Sequence, residues 1–105
     1  MVKIIGNYRW FDGAKFDHSY YQQEHMRLTR ELLLPLGLQR LESDKTLSGT
    51  PLKAGQVVAS SNAYFETLAA AQVALAQTGA QLVADVPNYT NIRPELHICE
   101  VVAHR

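Results

Sequence analysis

His25 and Tyr21 are the side chains whose types and spacing best suit chemistry, and they stand four residues apart in the run Phe16-Asp17-His18-Ser19-Tyr20-Tyr21-Gln22-Gln23-Glu24-His25. At about 3.6 residues per turn, Tyr21, His25, Leu28 and Leu32 fall on one face of a helix, which sets an imidazole on an apolar stripe. An imidazole titrates near neutral pH, so one held against a pocket can take or give a proton. Tyr21, one turn earlier, can orient that ring or hydrogen-bond a substrate oxygen. The competing reading is a histidine satisfied by a backbone carbonyl inside the core.

A second group of candidates precedes the end of the chain. Asp85, Asn88 and Tyr89 sit in a turn-forming stretch that can close over a cavity between a sheet and its helices, which makes them candidate substrate-binding residues. Short polar side chains also bond their own loop backbone, and that reading stands beside the first. Tyr64, with Tyr8 and Trp10, is a candidate lining for a planar or hydrophobic ligand, against the plainer role of core aromatic.

Other chemistries find less support. His18 and His25 lie seven residues apart, about 10 Å along a helix, too far for one zinc sphere with bonds of about 2 Å. His97 and Cys99 lie nearly 7 Å apart on one strand face, at about 3.3 Å per residue, without a third ligand at a recognisable spacing. No metal and no cofactor are therefore expected. There is no glycine-rich phosphate loop and no Gly-x-Ser-x-Gly elbow, and Ser60-Ser61 lies in strand-like sequence with no sign of nucleophilic activation. Cys99 reads as a small buried hydrophobe.

These residues need elements to hold them. Val2 to Arg9 reads as a strand ended by the turn-prone Asp12-Gly13. A helix follows from about Asp17 to Leu33, with Asp17 as N-cap, Phe16 as hydrophobic staple, and Pro35 and Gly37 beyond its end. Gly37 to Leu47 reads as an exposed edge strand, Ser48 to Gly55 as a loop and Gln56 to Phe65 as a third strand. Thr67 can cap a second helix over Leu68 to Gln77, ending near Thr78-Gly79, with a short helical piece from Ala80 to Ala84 after that break. Asp85 to Asn91 is turn chemistry, and Pro94 to Ala103 makes the last strand.

The order βαββαβ is the ferredoxin-like α+β arrangement, a four-stranded antiparallel sheet with both helices on one face. Strands one, three and four carry apolar residues on both alternate sets, for instance Ile4 against Ile5 and Ile98 against Cys99. An apolar uncovered face implies a contact, and a second copy of the chain is the expected cover.

The 105 residues, 47 % of them hydrophobic, suffice for a single domain spanning 1–105. Ten basic residues balance ten acidic ones, so nucleic acid finds no electrostatic footprint here. A lone cysteine excludes an intrachain disulfide framework. The N-terminus lacks a signal-peptide pattern, and no apolar stretch approaches the roughly 20 residues of a membrane helix. A cytoplasmic protein without membrane partners is expected.

With the elements placed, the chain resembles the EthD family of the dimeric α/β-barrel superfamily. Three separated pieces carry the resemblance: Phe16-Asp17-His18-Ser19-Tyr20-Tyr21 followed by His25-Met26, then Ala63-Tyr64-Phe65, and Ala84-Asp85-Val86-Pro87-Asn88-Tyr89-Thr90. The resemblance implies that two ferredoxin-like subunits pair their sheets into a barrel with helices outside. It implies function more thinly, because the superfamily includes lactone isomerases, cofactor-free monooxygenases, polyketide cyclases and haem-degrading enzymes. The expectation is a homodimer with His25 as acid or base, aided by Tyr21, acting without a cofactor on a small hydrophobic or aromatic compound in a catabolic or polyketide pathway. A non-catalytic ligand-binding or accessory protein is the alternative.

Overall fold

In the computed structural model, which describes residues 1–47 and 53–105, four strands form one antiparallel sheet in the order β2-β3-β1-β4. They are β1 (Val2–Arg9), β2 (Arg40–Lys45), β3 (Val57–Phe65) and β4 (Glu95–Glu100). The central pairs set the faces. Ile4 stands opposite Ala63 on one side and Ile98 on the other, while Ile5 stands opposite Asn62 and His97. Because side chains alternate along a strand, Ile4, Gly6 and Tyr8 look toward the helices, and Lys3, Ile5, Asn7 and Arg9 look away.

The first helix begins where the sequence places it. Asp17 is extended, and its Oδ1 accepts from the Tyr20 backbone N–H at 3.1 Å, a cap generally worth about 1 kcal/mol. Phe16, just outside the helix, packs its ring 5.0 Å from that of Tyr21 and so staples the first turn. The helix then departs from regularity. After the α-turn His18–Tyr20, residues Tyr21–His25 form a π-helical turn before the α-helical body Met26–Leu33 resumes. A 3-10 turn, Leu34–Leu36, carries Pro35 and ends at Gly37, whose φ of 103° is a conformation glycine adopts without Cβ strain.

Thr67 caps the second helix by accepting from the Ala70 N–H at 3.1 Å. That helix runs unbroken over Leu68–Asp85, so the expected interruption at Thr78-Gly79 is absent. Thr78 donates its hydroxyl to the Ala74 carbonyl at 2.8 Å, and Gly79 leaves only an ordinary gap before Leu75. One helical glycine costs about 1 kcal/mol against alanine, less than eighteen residues of packed helix can absorb. A 3-10 turn, Val86–Asn88, follows, and β4 is shorter than the 94–103 expected. The loop expected over Ser48 to Gly55 falls mostly outside the described residues.

Two clusters fill the space under the helices. Ile4, Leu33, Ala63, Phe65, Ala71 and Ala74 make a mainly aliphatic one, where small alanines let the second helix approach the sheet. Tyr8, Tyr21, Val58, Ala59, Val86 and Tyr89 make an aromatic one at the other end. Val58 joins it because the β1–β3 register shifts between Tyr8 and Arg9.

The open face differs from the apolar surface expected. β2 contributes Arg40, Glu42 and Asp44 there, and β3 contributes Ser60, Asn62 and Tyr64. Asp44 Oδ2 accepts from Ser60 Oγ at 3.1 Å and Asn62 Nδ2 at 3.2 Å, and Tyr64 donates to Glu42 at 3.1 Å. Apolar side chains on it include Ile5, Val57 and Cys99.

A candidate acid–base site between the sheet and the helices

The helix-facing side of the sheet holds a cleft of about 60 Å³. Its walls are mostly aliphatic, among them Ile4, Leu33, Leu75, Leu82 and Leu96. The polar groups reaching it are few: His25, Tyr8, Thr29, Ser61 and Thr78. Two of these are already engaged, since Thr29 donates to the His25 carbonyl at 2.7 Å and Thr78 to Ala74.

His25 is 5 % exposed and its two ring nitrogens have different surroundings. Nδ1 lies 2.9 Å from Asp85 Oδ2. An ionised carboxylate only accepts, so Nδ1 carries the proton and Nε2 is left with a lone pair. Among the described residues Nε2 has no hydrogen-bond partner, yet it is not one of the sealed, unpartnered polar atoms. Burial pushes the imidazole below its ordinary value, and the Asp85 carboxylate opposes that shift without cancelling it. The ring is therefore neutral at pH 7, the form in which it can accept a proton.

Asp85 occupies the last residue of the second helix, where the helix dipole disfavours a negative charge. Local donors reverse the balance. Burial alone would raise its pKa, but hydrogen bonds from Asn88, His25 and Tyr20 hold the carboxyl below the usual range. Asn88 Nδ2 and the Tyr20 hydroxyl each donate to Oδ1 at 2.8 Å. The carboxylate is thus ionised, fixed by three donors, and aimed at the imidazole.

The π-helical turn delivers His25 to this carboxylate. The Met26 N–H reaches back to the Tyr21 carbonyl, five residues earlier, and such a widened turn rotates the residues on its C-terminal side relative to a regular helix. Tyr21 and His25 consequently stack, with ring centroids 5.5 Å apart and planes 15° from parallel. Tyr89 tilts against the imidazole at 4.7 Å and packs against Tyr21 as well, with those two ring centroids 5.2 Å apart.

Three phenols complete the aromatic end. Tyr8 and Tyr89 share a hydrogen bond between their hydroxyls. The Tyr21 hydroxyl is buried and unpartnered among the described residues, beside Tyr8 and Ser61. Burial raises all three phenols above their ordinary value, so they are protonated at any physiological pH.

The structure therefore gathers His25, Tyr21, Asp85, Asn88 and Tyr89 in one place. Asp85 faces the imidazole, Asn88 bonds Asp85, and the Tyr89 hydroxyl is engaged by Tyr8. Tyr64 is not brought there. It lies on the opposite sheet face with its hydroxyl on Glu42 and the Arg40 guanidinium 4.2 Å over its ring. Tyr20 holds Asp85, a role the sequence pattern does not signal, because a regular helix turns it away from the His25 stripe.

No family model and no curated protein matches the chain. Solved structures do. An EthD-like protein from Ralstonia eutropha is 31 % identical with a TM-score of 0.82, the match covering 99 % of this chain and 94 % of that one. An ethyl tert-butyl ether D family protein from Bacillus halodurans shares the fold at 21 % identity and a TM-score of 0.65, over 97 % and 99 % of the two chains. HapK from Hahella chejuensis does so at 18 % and 0.60, over 100 % and 96 %. Full-length agreement in sequence and structure with the Ralstonia protein establishes that this chain belongs to the EthD family.

Proposed function

We propose that the chain is one protomer of a homodimeric, cofactor-independent enzyme in which His25 moves a proton on a small hydrophobic or aromatic compound. Isomerisation, cyclisation, decarboxylation and cofactor-free oxygenation of an activated carbonyl or ring compound all call for such a transfer at some step, and a catabolic or polyketide pathway is the expected setting. One observation carries the reading: a neutral imidazole whose Nδ1 is committed to Asp85 offers an unpartnered Nε2 beside an aliphatic cleft. A base so oriented loses no tautomer before reaction. Asp85 positions the ring and stabilises the imidazolium once it forms. Tyr20 and Asn88 hold Asp85, and the Tyr21 ring holds the imidazole from above.

Incubating the protein with lactones, aromatic acids and 1,3-dicarbonyl compounds, and following each by chromatography, tests this. Wild type should consume at least one class, and His25→Gln, which keeps a donor for Asp85 but no titratable nitrogen, should reduce the rate by at least about a hundred-fold. Equal rates in the two proteins would remove His25 from the chemistry.

Cleft size favours a second reading. Pockets that enclose whole ligands run from about 300 Å³ upward, well beyond the 60 Å³ here. A non-catalytic small-ligand-binding or accessory role would then show as saturable binding with no compound consumed.

A further inference from the structure

Polar groups at the floor of the cleft do not balance. Tyr89's hydroxyl touches only Tyr8's among the described residues. If Tyr8 donated to Tyr89, the Tyr89 proton would be left in a buried place with no acceptor, at a cost of about 1–3 kcal/mol. Either phenol can donate in this pair, and Tyr89 donating to Tyr8 is the direction that satisfies the Tyr89 proton. That leaves the Tyr8 proton unassigned, on a residue that lines the cleft. The Tyr21 hydroxyl, on a side chain that is 1 % exposed, is also unpartnered and lies beside the Tyr8 and Ser61 hydroxyls.

Gly6 lies at the same spot, where its lack of a side chain lets the Ser61 and Leu96 side chains come close to the backbone at the cleft floor. A Cβ at this position would come 3.0 Å from Ser61 Oγ and 3.2 Å from Leu96 Cδ2. No positive φ requires glycine there, and a strand interior disfavours it unless something must approach the backbone closely. So the floor combines a glycine with two phenol hydroxyls, of which Tyr21's is unpartnered and Tyr8's is bonded only to Tyr89's among the described residues.

We infer that this floor is a subsite for one substrate oxygen, a carbonyl that becomes an enolate, with Tyr8 as the donor that touches it. The inference rests on His25 as the base and narrows the substrate to a small enolisable carbonyl compound. In the step, the carbon adjacent to the carbonyl loses its proton to His25 Nε2. The C–H electron pair forms the carbon–carbon double bond, and the carbonyl π pair moves onto oxygen, where the Tyr8 hydroxyl stabilises it. Return of the proton from the imidazolium to a different carbon completes an isomerisation, with no oxidant or reductant consumed. Tyr89 is a positioning residue, polarising Tyr8 by donating to it. Only the reacting carbonyl and its neighbours need fit within the small cleft, the remainder of the substrate lying toward Val83 and Leu96, which are half exposed.

4-Nitrophenol tests the subsite, because its phenolate resembles an enolate and absorbs separately from the neutral phenol. Titrated into the protein at a pH where the free probe is mainly neutral, it should bind with growth of the phenolate band. Tyr8→Phe should weaken binding roughly ten-fold or more, as expected for loss of a hydrogen bond to an anion. Gly6→Ala, which needs no change of backbone conformation, should block it by filling the floor. Tyr64→Phe, on the other sheet face, should bind as wild type does, and circular dichroism verifies that each variant is folded. Absence of wild-type binding at millimolar probe, or equal binding by folded Tyr8→Phe and Gly6→Ala, overturns the subsite. Loss of the phenolate band in His25→Gln alone would leave the base reading standing without the oxygen subsite. Loss in Tyr8→Phe alone would leave the subsite standing without the base.

Discussion

At the scale of single residues, the proposed role of His25 depends on Asp85, whose carboxylate binds Nδ1. Replacing it by asparagine preserves shape but offers Nδ1 either an amide oxygen or an amide N–H, so the tautomer that leaves Nε2 unprotonated is no longer enforced. Asp85→Asn should lower turnover by one to two orders of magnitude, about 1.4–2.8 kcal/mol of barrier, with little change in substrate affinity. A rate equal to wild type would assign Asp85 to structure alone. Stability should respond to pH in a definite direction. His25 is held below its unfolded value of about 6.5, so the unfolded chain binds the proton more readily. The stabilisation is fully present above that pH and is lost as pH falls through the folded pKa. His18 shifts the same way, through burial and the charge of Lys45. Thermal melts should therefore weaken between neutral pH and pH 5, and His25→Gln should remove part of that slope, leaving the part due to His18. An unchanged slope in the variant would contradict the lowered imidazole pKa.

At the scale of elements, the N-cap, the staple, the first and third strands and the end of the first helix are legible in sequence because each depends on neighbours within a few residues. Features that cannot be read there depend on contacts made elsewhere. Asp85 stands out in the sequence as a ligand candidate, but its meeting with His25 across sixty residues is set by how the second helix docks. Sequence divides that helix at Gly79 because local propensity counts the glycine and not the packing. The π-helical turn has no local signature at all, since Tyr21-Gln22-Gln23-Glu24-His25 suits a regular helix equally well. That turn gives a sharp test. Gln22 and Gln23 are exposed, so deleting Gln22 should let a regular helix form with modest loss of stability while moving Tyr20 and Tyr21 relative to His25. Activity, and the nitrophenol signal, should vanish while helical circular dichroism persists. Conversely, Gly79→Ala should stabilise by about 0.5–1 kcal/mol, the usual helical gain, seen as a rise of a few degrees in melting temperature. Its Cβ would sit 3.7 Å from Leu75, an ordinary contact.

At the scale of the whole molecule, the question is what lies against the open face of the sheet. The expectation of an apolar face gives a simple reason for a dimer, and the face is instead mixed. Its polar groups are nonetheless largely paired within the chain: Asp44 with Ser60 and Asn62, Glu42 with Tyr64, and Arg40 with the Tyr64 ring. Groups paired in this way can be covered without leaving orphans, which removes the main cost of burying them. Ile5, opposite Asn62 and His97 at the middle of the sheet, supplies an apolar centre, matching the pattern of an interface with a dry core and a polar rim. Sedimentation at micromolar concentration should thus give twice the chain mass for wild type, and Ile5→Lys should give a folded single chain, because Ile5 is only half-buried within the protomer. Wild type sedimenting as one chain would end the dimer proposal. The described residues lining the His25 cleft lie on the helix-facing side of the sheet, opposite the face that carries Ile5. The Ile5→Lys monomer should accordingly bind 4-nitrophenol within a few-fold of wild type, so that assembly and proton transfer can be separated in a single variant.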